Sequence, residues 1–510
     1  MLNRDGENIS VWQKITTGTI AQKIDRKKFD VIIIGGGLTG VTTALMLQNS
    51  GKSCLILEAH NMGYGTTSGT SAHLNTVLDT PYTEIIDKHG LDKAKLVARS
   101  TQQAMQIISS LIDKYNIACD YQKQIGYMYA SNSAELEELE EIKEAILKVG
   151  LHAETVSAIP LPYAVTGCIA FNNQASFHPT KYLWGLVDAY LARNGEIVEN
   201  CMVHNVKSND QELEIETSTS TFYADKVVYA THTAPGVQLA NFRLAPYRSY
   251  LSLFELVNEE DYPQGLIYDM QNPFHYIRTV NDQGKLLLMV GGEDHKTAHQ
   301  HNEKYSFLEL ESFVRERYDV KQKCYEWSSQ YYESPDKLPY IGYLSDKNTL
   351  LATGFTGNGM IFGTISAQIL HDLIITGQSK YKDLYNPLRV GPLSSYAELV
   401  SNNVEVVKNF IAGKLFTMAE KDFATLARGE GKVFKYEGKK IGVYKDEVGK
   451  LYGINPVCKH AGCTVKWNTA ESSWDCPCHG ARYSKEGKML TGPTLMNLER
   501  WDLENKENSK

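Results

Sequence analysis

Three glycines, Gly35, Gly37 and Gly40, most constrain what this chain can fold into. They follow the apolar run Phe29–Ile34, which reads as a short buried strand, and open a helix expected over Gly40–Asn49. A second apolar run, Ser53–Leu57, ends in Glu58. This strand–turn–helix–strand order gives a G-x-G-x-x-G spacing its meaning. Gly35 permits the tight turn, Gly37 lets backbone approach a pyrophosphate, and Gly40 lets the helix lie close on the sheet. The helix N-terminus then offers unpaired N–H groups to the phosphates. Glu58 stands where an acid accepts from ribose hydroxyls, and its charge disfavours the 2′-phosphate of NADP. A dinucleotide site is expected rather than a glycine-rich core turn.

Two further segments say which dinucleotide. The stretch Met62–His73 is crowded with small and hydroxyl residues, as a loop wrapped over a cofactor or a plain surface loop would be. Far downstream, Leu338-Pro-Tyr-Ile-Gly342 precedes a strand expected at Thr349–Ala352 and the turn Gly354-Phe-Thr-Gly357-Asn358-Gly359, after which a helix begins. One nucleotide does not need two such turns. A flavin dinucleotide has use for both, one at the pyrophosphate and one at the isoalloxazine.

On these residues the chain resembles FAD-dependent oxidoreductases of the D-amino-acid oxidase type, which include glycine, sarcosine and polyamine-type amine oxidases. The matching segments are the Gly35–Gly40 turn with Glu58, the Gly65–Gly69 loop, Val227-Val-Tyr-Ala230, Pro339-x-Ile-Gly342 and the turn Ala352–Gly359, together spanning roughly residues 25–377. The resemblance implies FAD held by Gly35, Gly37, Leu38, Thr39, Gly40 and Glu58 at one end. Gly65, Thr66, Thr67, Ser71 and Ala230 would follow, with Gly354, Gly357, Asn358, Gly359 and Met360 at the other end. It also implies a substrate domain over the flavin, containing the acidic helix at Ala134–Val149 and strands near 268–292.

The other strong signal lies near the far end. Cys458-Lys-His460 is followed, after fifteen residues, by Cys476-Pro-Cys478-His479. A C-x-H…C-x-x-H arrangement suits a [2Fe–2S] centre with two thiolates on one iron and two imidazoles on the other, each box giving one of each. Two Cys and two His also suit tetrahedral zinc, although zinc usually takes C-x₂₋₄-C and H-x₃₋₅-H pairs, and it would leave Cys463 and Cys478 without a role. The segment resembles Rieske proteins of the cytochrome bc type, which makes Cys458, His460, Cys476 and His479 the cluster ligands. By the same resemblance Cys463 and Cys478 form the disulfide that ties the two loops, and Gly492-Pro493 belongs to the third loop covering the cluster.

The expected architecture is an α/β Rossmann-like FAD-binding domain with an interleaved α+β substrate domain (1–377), and a small all-β Rieske domain (421–506). Between them lies a connector (378–420) with a helix, docking or solvated, over Glu398–Leu415. The whole resembles bacterial fusions of a flavoprotein of this type with a Rieske domain. The net charge of −8 gives no general affinity for nucleic acid, although the chain from Lys421 onward leans basic. That domain would either steer an acidic redox carrier or dock on the acidic flavoprotein half. The first twenty residues lack the apolar core of a signal peptide, and the apolar stretch Val31–Leu47 is broken by glycines, so a cytoplasmic chain with no membrane span is expected.

A flavin takes two electrons and a [2Fe–2S] centre one, so the fusion reads as a flavin enzyme with a one-electron outlet. The expected activity is oxidation of the C–N bond of a small amine or amino acid, with electrons passing to the cluster and on to an unidentified redox partner. A relay without amine chemistry and a reversed flow are the alternatives. Arg278 is the candidate for a substrate carboxylate or a surface ion pair, Tyr250 and His295 for the face opposite the flavin, and His73 for the flavin's edge. His295, His299 and His301 beside Glu293 and Asp294 also raise a non-haem iron site of the kind Rieske domains feed.

One departure from the family pattern has a physical consequence. High-potential Rieske centres carry Ser after the His-Gly of the second box and Tyr two residues on; here the segment is His479-Gly-Ala481-Arg-Tyr483. Hydrogen bonds to cluster sulfur raise the potential. The midpoint of Ala481→Ser, measured by EPR redox titration, is expected above that of the parent; an unchanged or lower value contradicts the argument.

Overall fold

The computed structural model describes residues 4–15, 20, 24–209, 212–236, 241–392, 425–436, 438–501 and 503. The strand Lys28–Ile34 runs parallel to Cys54–Leu57 on one side and to Thr221–Tyr229 on the other. The sheet continues to Thr349–Thr353 and Tyr340–Tyr343 at one edge and Glu196–Val198 at the other. Cys54–Leu57 is wholly apolar and buried, as is the Val227–Tyr229 end of the other neighbour, because a parallel sheet is covered on both faces. The helix Leu38–Asn49 leaves the first strand through the glycine turn and packs beside the helix Gly359–Thr376. That second helix is long and apolar enough to cross a membrane, but most of it is buried in the core among Ile361, Ile365 and Leu370. Its apolarity is that of a core helix.

A second, nine-stranded and mainly antiparallel sheet forms the substrate half. It is built around Ala245–Leu256, Lys285–Lys296, Tyr276–Asp282 and Leu266–Tyr268. The acidic helix spans Ser133–Lys148, capped by Asn132, whose Oδ1 accepts from the Glu135 N–H at 3.0 Å. The C-terminal domain is two four-stranded antiparallel sheets, one led by Gly431–Tyr436 and Lys439–Lys445, the other holding Ser473–Asp475 and Arg482–Ser484.

The connector begins differently from its composition. Tyr381 and Tyr385 are buried, and Arg389 grips Asp336 with two bonds of 2.7 Å, so the chain stays fixed to the flavoprotein up to that point. The helix expected at Glu398–Leu415 lies outside the described residues.

The two halves are locked together by buried charge. Arg482, fully buried, donates from Nε to Asp475 at 3.1 Å and from Nη1 to the Asp5 carbonyl at 2.7 Å. Arg248 of the substrate sheet faces Glu471 at 3.8 Å and Asp475 at 3.7 Å. The Ser328 hydroxyl donates to Glu471, and Gln330 Nε2 donates to the Gly480 carbonyl at 2.8 Å. The contact thus runs both ways: the Rieske domain sets Arg482 on Asp5 of the acidic half, and its own Glu471 and Asp475 on Arg248.

Burial alone would push the Asp475 carboxyl up, but Arg482 and then Arg248 hold it below the usual carboxylate range. A carboxyl depressed by folding contributes stability that is present above its unfolded pKa of about 4 and is lost as pH falls through the folded value. Removing one member also leaves buried arginines unpaired. Asp475→Asn is expected to lower unfolding stability by about 3–5 kcal/mol at neutral pH and to flatten its acid dependence, read by urea denaturation; an unchanged midpoint contradicts the locking role.

Candidate functional site

A single cleft runs between the glycine turn, the substrate sheet and the Rieske domain. At its dinucleotide end the backbone leaves no room for side chains. A Cβ on Gly40 would stand 2.0 Å from the Gly35 carbonyl oxygen, and one on Gly35, at φ +114°, would stand 2.4 Å from the Ala230 oxygen. Gly37 opens toward the cleft, its nearest neighbour being Thr67 Oγ1 at 3.2 Å, so a side chain there would fill phosphate space. The half-buried Glu58 carboxylate accepts from Gly36 N–H at 2.7 Å and His60 N–H at 2.9 Å. Burial pushes its carboxyl up, and those backbone bonds partly offset the rise.

Of the residues expected to hold FAD, Gly35, Gly37, Leu38, Thr39 and Glu58 line the cleft. So do Gly65, Thr66, Thr67, Ser71, Ala230, Gly357, Asn358, Gly359 and Met360. Gly40 and Gly354 do not line it; they shape the turns, Gly354 at φ +74°. A narrow glycine cradle, a ribose acid and a second helix N-terminus at Gly359 fit FAD.

The substrate candidates separate. His73 lines the cleft; its Nδ1 meets the Tyr268 hydroxyl at 2.9 Å and its buried Nε2 has no partner. Burial holds this ring well below the ordinary histidine range, and nearby Arg278 lowers it further. Tyr250 points away from the cleft, because the strand turns Ser249 and Leu251 inward and alternation turns Tyr250 outward. There its hydroxyl meets His295 Nε2 at 2.9 Å, and His295 Nδ1 reaches the Lys296 carbonyl. With both ring nitrogens engaged, His295 does not converge with other ligands, and no non-haem iron site assembles around it among the described residues.

Arg278 is neither on the surface nor in the cleft wall. It is buried, lies 5.4 Å from the Trp12 ring centroid, and reaches the Ala72 carbonyl at 3.5 Å. The far wall consists instead of Asp79, Tyr268, Phe274, Tyr276, Asp294 and Tyr331. Nothing local in the sequence marks these residues. They come together through strand parity and long-range pairing.

At the cluster site the boxes meet as two loops. Cys463 and Cys478 are joined by a disulfide. Cys458 and Cys476 remain as buried thiols lying against each other, and the Tyr483 hydroxyl is 3.3 Å from Cys458 Sγ. His460 and His479 turn their Nδ1 atoms toward each other at 3.2 Å, while both Nε2 atoms are buried without partners. Two thiols and two imidazoles converging this way fit the Cys₂His₂ donor set of a Rieske cluster. Ala481 is fully buried beside it, its carbonyl accepting from Cys476 N–H at 2.8 Å.

The cluster site and the cleft touch. Phe242 of the flavoprotein stacks on His460 (5.8 Å between centroids) and meets His479 edge-on (4.8 Å). Tyr332, in the cleft wall, places its hydroxyl 3.4 Å from the His479 carbonyl, and its ring is edge-on to His232, also in the wall. The Rieske loop contributes Met489, Leu490, Thr491, Gly492, Thr494 and Leu495 to the same cleft.

Comparison with known proteins agrees with this geometry. Residues 30–373 match the FAD dependent oxidoreductase family (DAO), and residues 416–502 match the Rieske [2Fe-2S] domain. The Rieske 2Fe-2S iron-sulfur protein YhfW of Bacillus subtilis (strain 168) is 30% identical over 93% of this chain and 94% of its own length. Gamma-glutamylputrescine oxidoreductase of Escherichia coli (strain K12) is 24% identical, over 68% of this chain and 83% of its own. Among solved structures, glycine oxidase from Geobacillus kaustophilus aligns with a TM-score of 0.61 at 16% identity, covering 71% of this chain and 99% of that one. The Rieske match decides between iron–sulfur cluster and zinc. The chain belongs to the FAD-dependent oxidoreductases of the DAO family and carries a C-terminal Rieske [2Fe–2S] domain.

Proposed function

We propose that the protein oxidises the C–N bond of a small amine or amino acid in the cleft, and that the electrons pass from FAD to its own Rieske cluster and then to an external acceptor. The observation that carries this is the shared wall. Tyr332 and the loop Met489–Leu495 belong to the flavin cleft and touch the cluster loops, so both redox centres would lie on either side of one layer of protein.

When bound, FAD supplies two-electron acceptance and the [2Fe–2S] cluster one-electron acceptance. The chain's own residues do the rest. The Gly35–Gly40 turn and the helix behind it would hold the pyrophosphate, with Glu58 on the ribose. Gly357, Asn358 and Gly359 would hold the opposite end, and Cys458, His460, Cys476 and His479 the cluster. The substrate sheet closes the cleft with aromatic rings, which exclude water from the reacting bond. Amine oxidation needs a neutral amine and good alignment, and the two half-buried carboxyls of the far wall, Asp79 and Asp294, offer places for the proton an ammonium must lose.

The test is an EPR spectrum of purified protein mixed anaerobically with a pool of small amines and amino acids. A reduced Rieske signal that depends on the pool is expected. If dithionite produces the signal and no member of the pool does, the amine reading fails.

A further inference from the structure

The charge of the cleft wall narrows the substrate. Among the described residues no Lys or Arg lines it, whereas Asp79 and Asp294 both do, at the end away from the dinucleotide cradle. Asp294 Oδ2 accepts from the Tyr331 hydroxyl at 2.8 Å, while its Oδ1 is buried and makes no hydrogen bond. Asp79 Oδ1 accepts from Asn358 Nδ2 at 3.0 Å. Burial first, and for Asp294 also the charge of Asp79, pushes these carboxyls up, to about 6 and about 7. Two half-buried acids facing one space without a cationic partner are better accommodated when the ligand brings the positive charge. The rings of Tyr268, Tyr276 and Phe274 stand in the same wall, and aromatic faces also attract cations.

An amino-acid substrate would ask for the opposite. Its carboxylate is best held by the two-pronged guanidinium of an arginine. The candidate guanidinium, Arg278, is outside the wall, packed over Trp12 and directed to the Ala72 carbonyl, with His73 and Tyr268 in the wall instead. The adjoining buried arginine, Arg248, faces Glu471 and Asp475 at the domain interface.

We propose that the cleft selects a cationic amine with no carboxylate beside the reacting nitrogen, its ammonium held by Asp294 within the tyrosine wall and by the second negative charge of Asp79. This rests on the reading of the cleft as an amine site and states which amines it takes. Small zwitterionic amino acids are refused because their carboxylate would meet two acids and no lysine or arginine.

The test measures binding without turnover, on the FAD-loaded holoprotein. tert-Butylamine and 2-aminoisobutyrate share one skeleton, differ by methyl against carboxylate, and lack the α-hydrogen that oxidation requires. Isothermal titration, with the flavin difference spectrum as a second readout, is expected to show tert-butylamine bound at least about tenfold more tightly, roughly the weight of one good charge contact. Asp294→Asn is expected to erase most of that preference while FAD content stays at the parent level, and Asp79→Asn, whose side chain also sits on Asn358, is expected to do so with binding expressed per bound FAD. Equal or tighter binding of 2-aminoisobutyrate, no binding of tert-butylamine, or a preference untouched in both variants overturns the proposal. Neither ligand can be oxidised, so a failure of amine-dependent cluster reduction bears on the proposed function alone, and a carboxylate preference bears on this inference alone.

Discussion

The buried contact of Arg482 with Asp475 and Asp5, continued through Arg248 and Glu471, is what the rest of the arrangement depends on. It fixes the Rieske domain on the flavoprotein with its histidines turned inward. Buried ion pairs are weak sources of net stability, because desolvation consumes most of the Coulomb gain. They do discriminate strongly between one docking geometry and all others, since any shift leaves a charge unpaired in the interior. Here that specificity falls on the surface that brings His479 to Tyr332 and the Gly492-Pro493 loop to the flavin cleft.

The consequence for function is a division of surfaces. His460 and His479 are 8% and 3% exposed and covered by Phe242, so an external carrier does not meet the imidazole edge of the cluster directly. On the proposed reading that edge receives electrons from the flavin, and the outlet is another face of the Rieske domain. The cleft has a matching division. Its backbone-lined end, shaped by glycines, suits a dinucleotide, and on the same proposed reading its acidic and aromatic end takes the amine. Neither half of the chain has the whole site, because the C-terminal loop Met489–Leu495 closes a cleft that begins at Gly35.

What was legible in the sequence follows from how local each signal is. The glycine turn, Glu58, the second turn at Gly354–Gly359 and the Cys/His boxes act through spacings of a few residues, so pattern and chemistry could be read together. Strand parity was not legible. The sequence Arg248-Ser-Tyr-Leu does not say which residues face inward, and Tyr250 turned out to be the one facing away. Arg278 has the chemistry of a carboxylate anchor, but Trp12 and the Ala72 carbonyl, contributed by remote segments, hold it out of the wall. Asp79 and Asp294 gain their character only when folding brings them to one cleft, 215 positions apart in the chain. Net charge did not say which pairs would form, because docking uses Arg482 on Asp5 as well as the buried Glu471 and Asp475 on Arg248.

The most direct test of the account follows the electron inside one chain. Flash photoreduction of the bound flavin, under anaerobic conditions and over a range of protein concentrations, gives the rate at which the cluster signal of the reduced state grows. If the docked geometry is the working one, the cluster is reduced by the flavin of the same molecule, and the rate is first-order and independent of concentration. A rate that scales with concentration, or a cluster that stays oxidised while the flavin remains reduced, would contradict it.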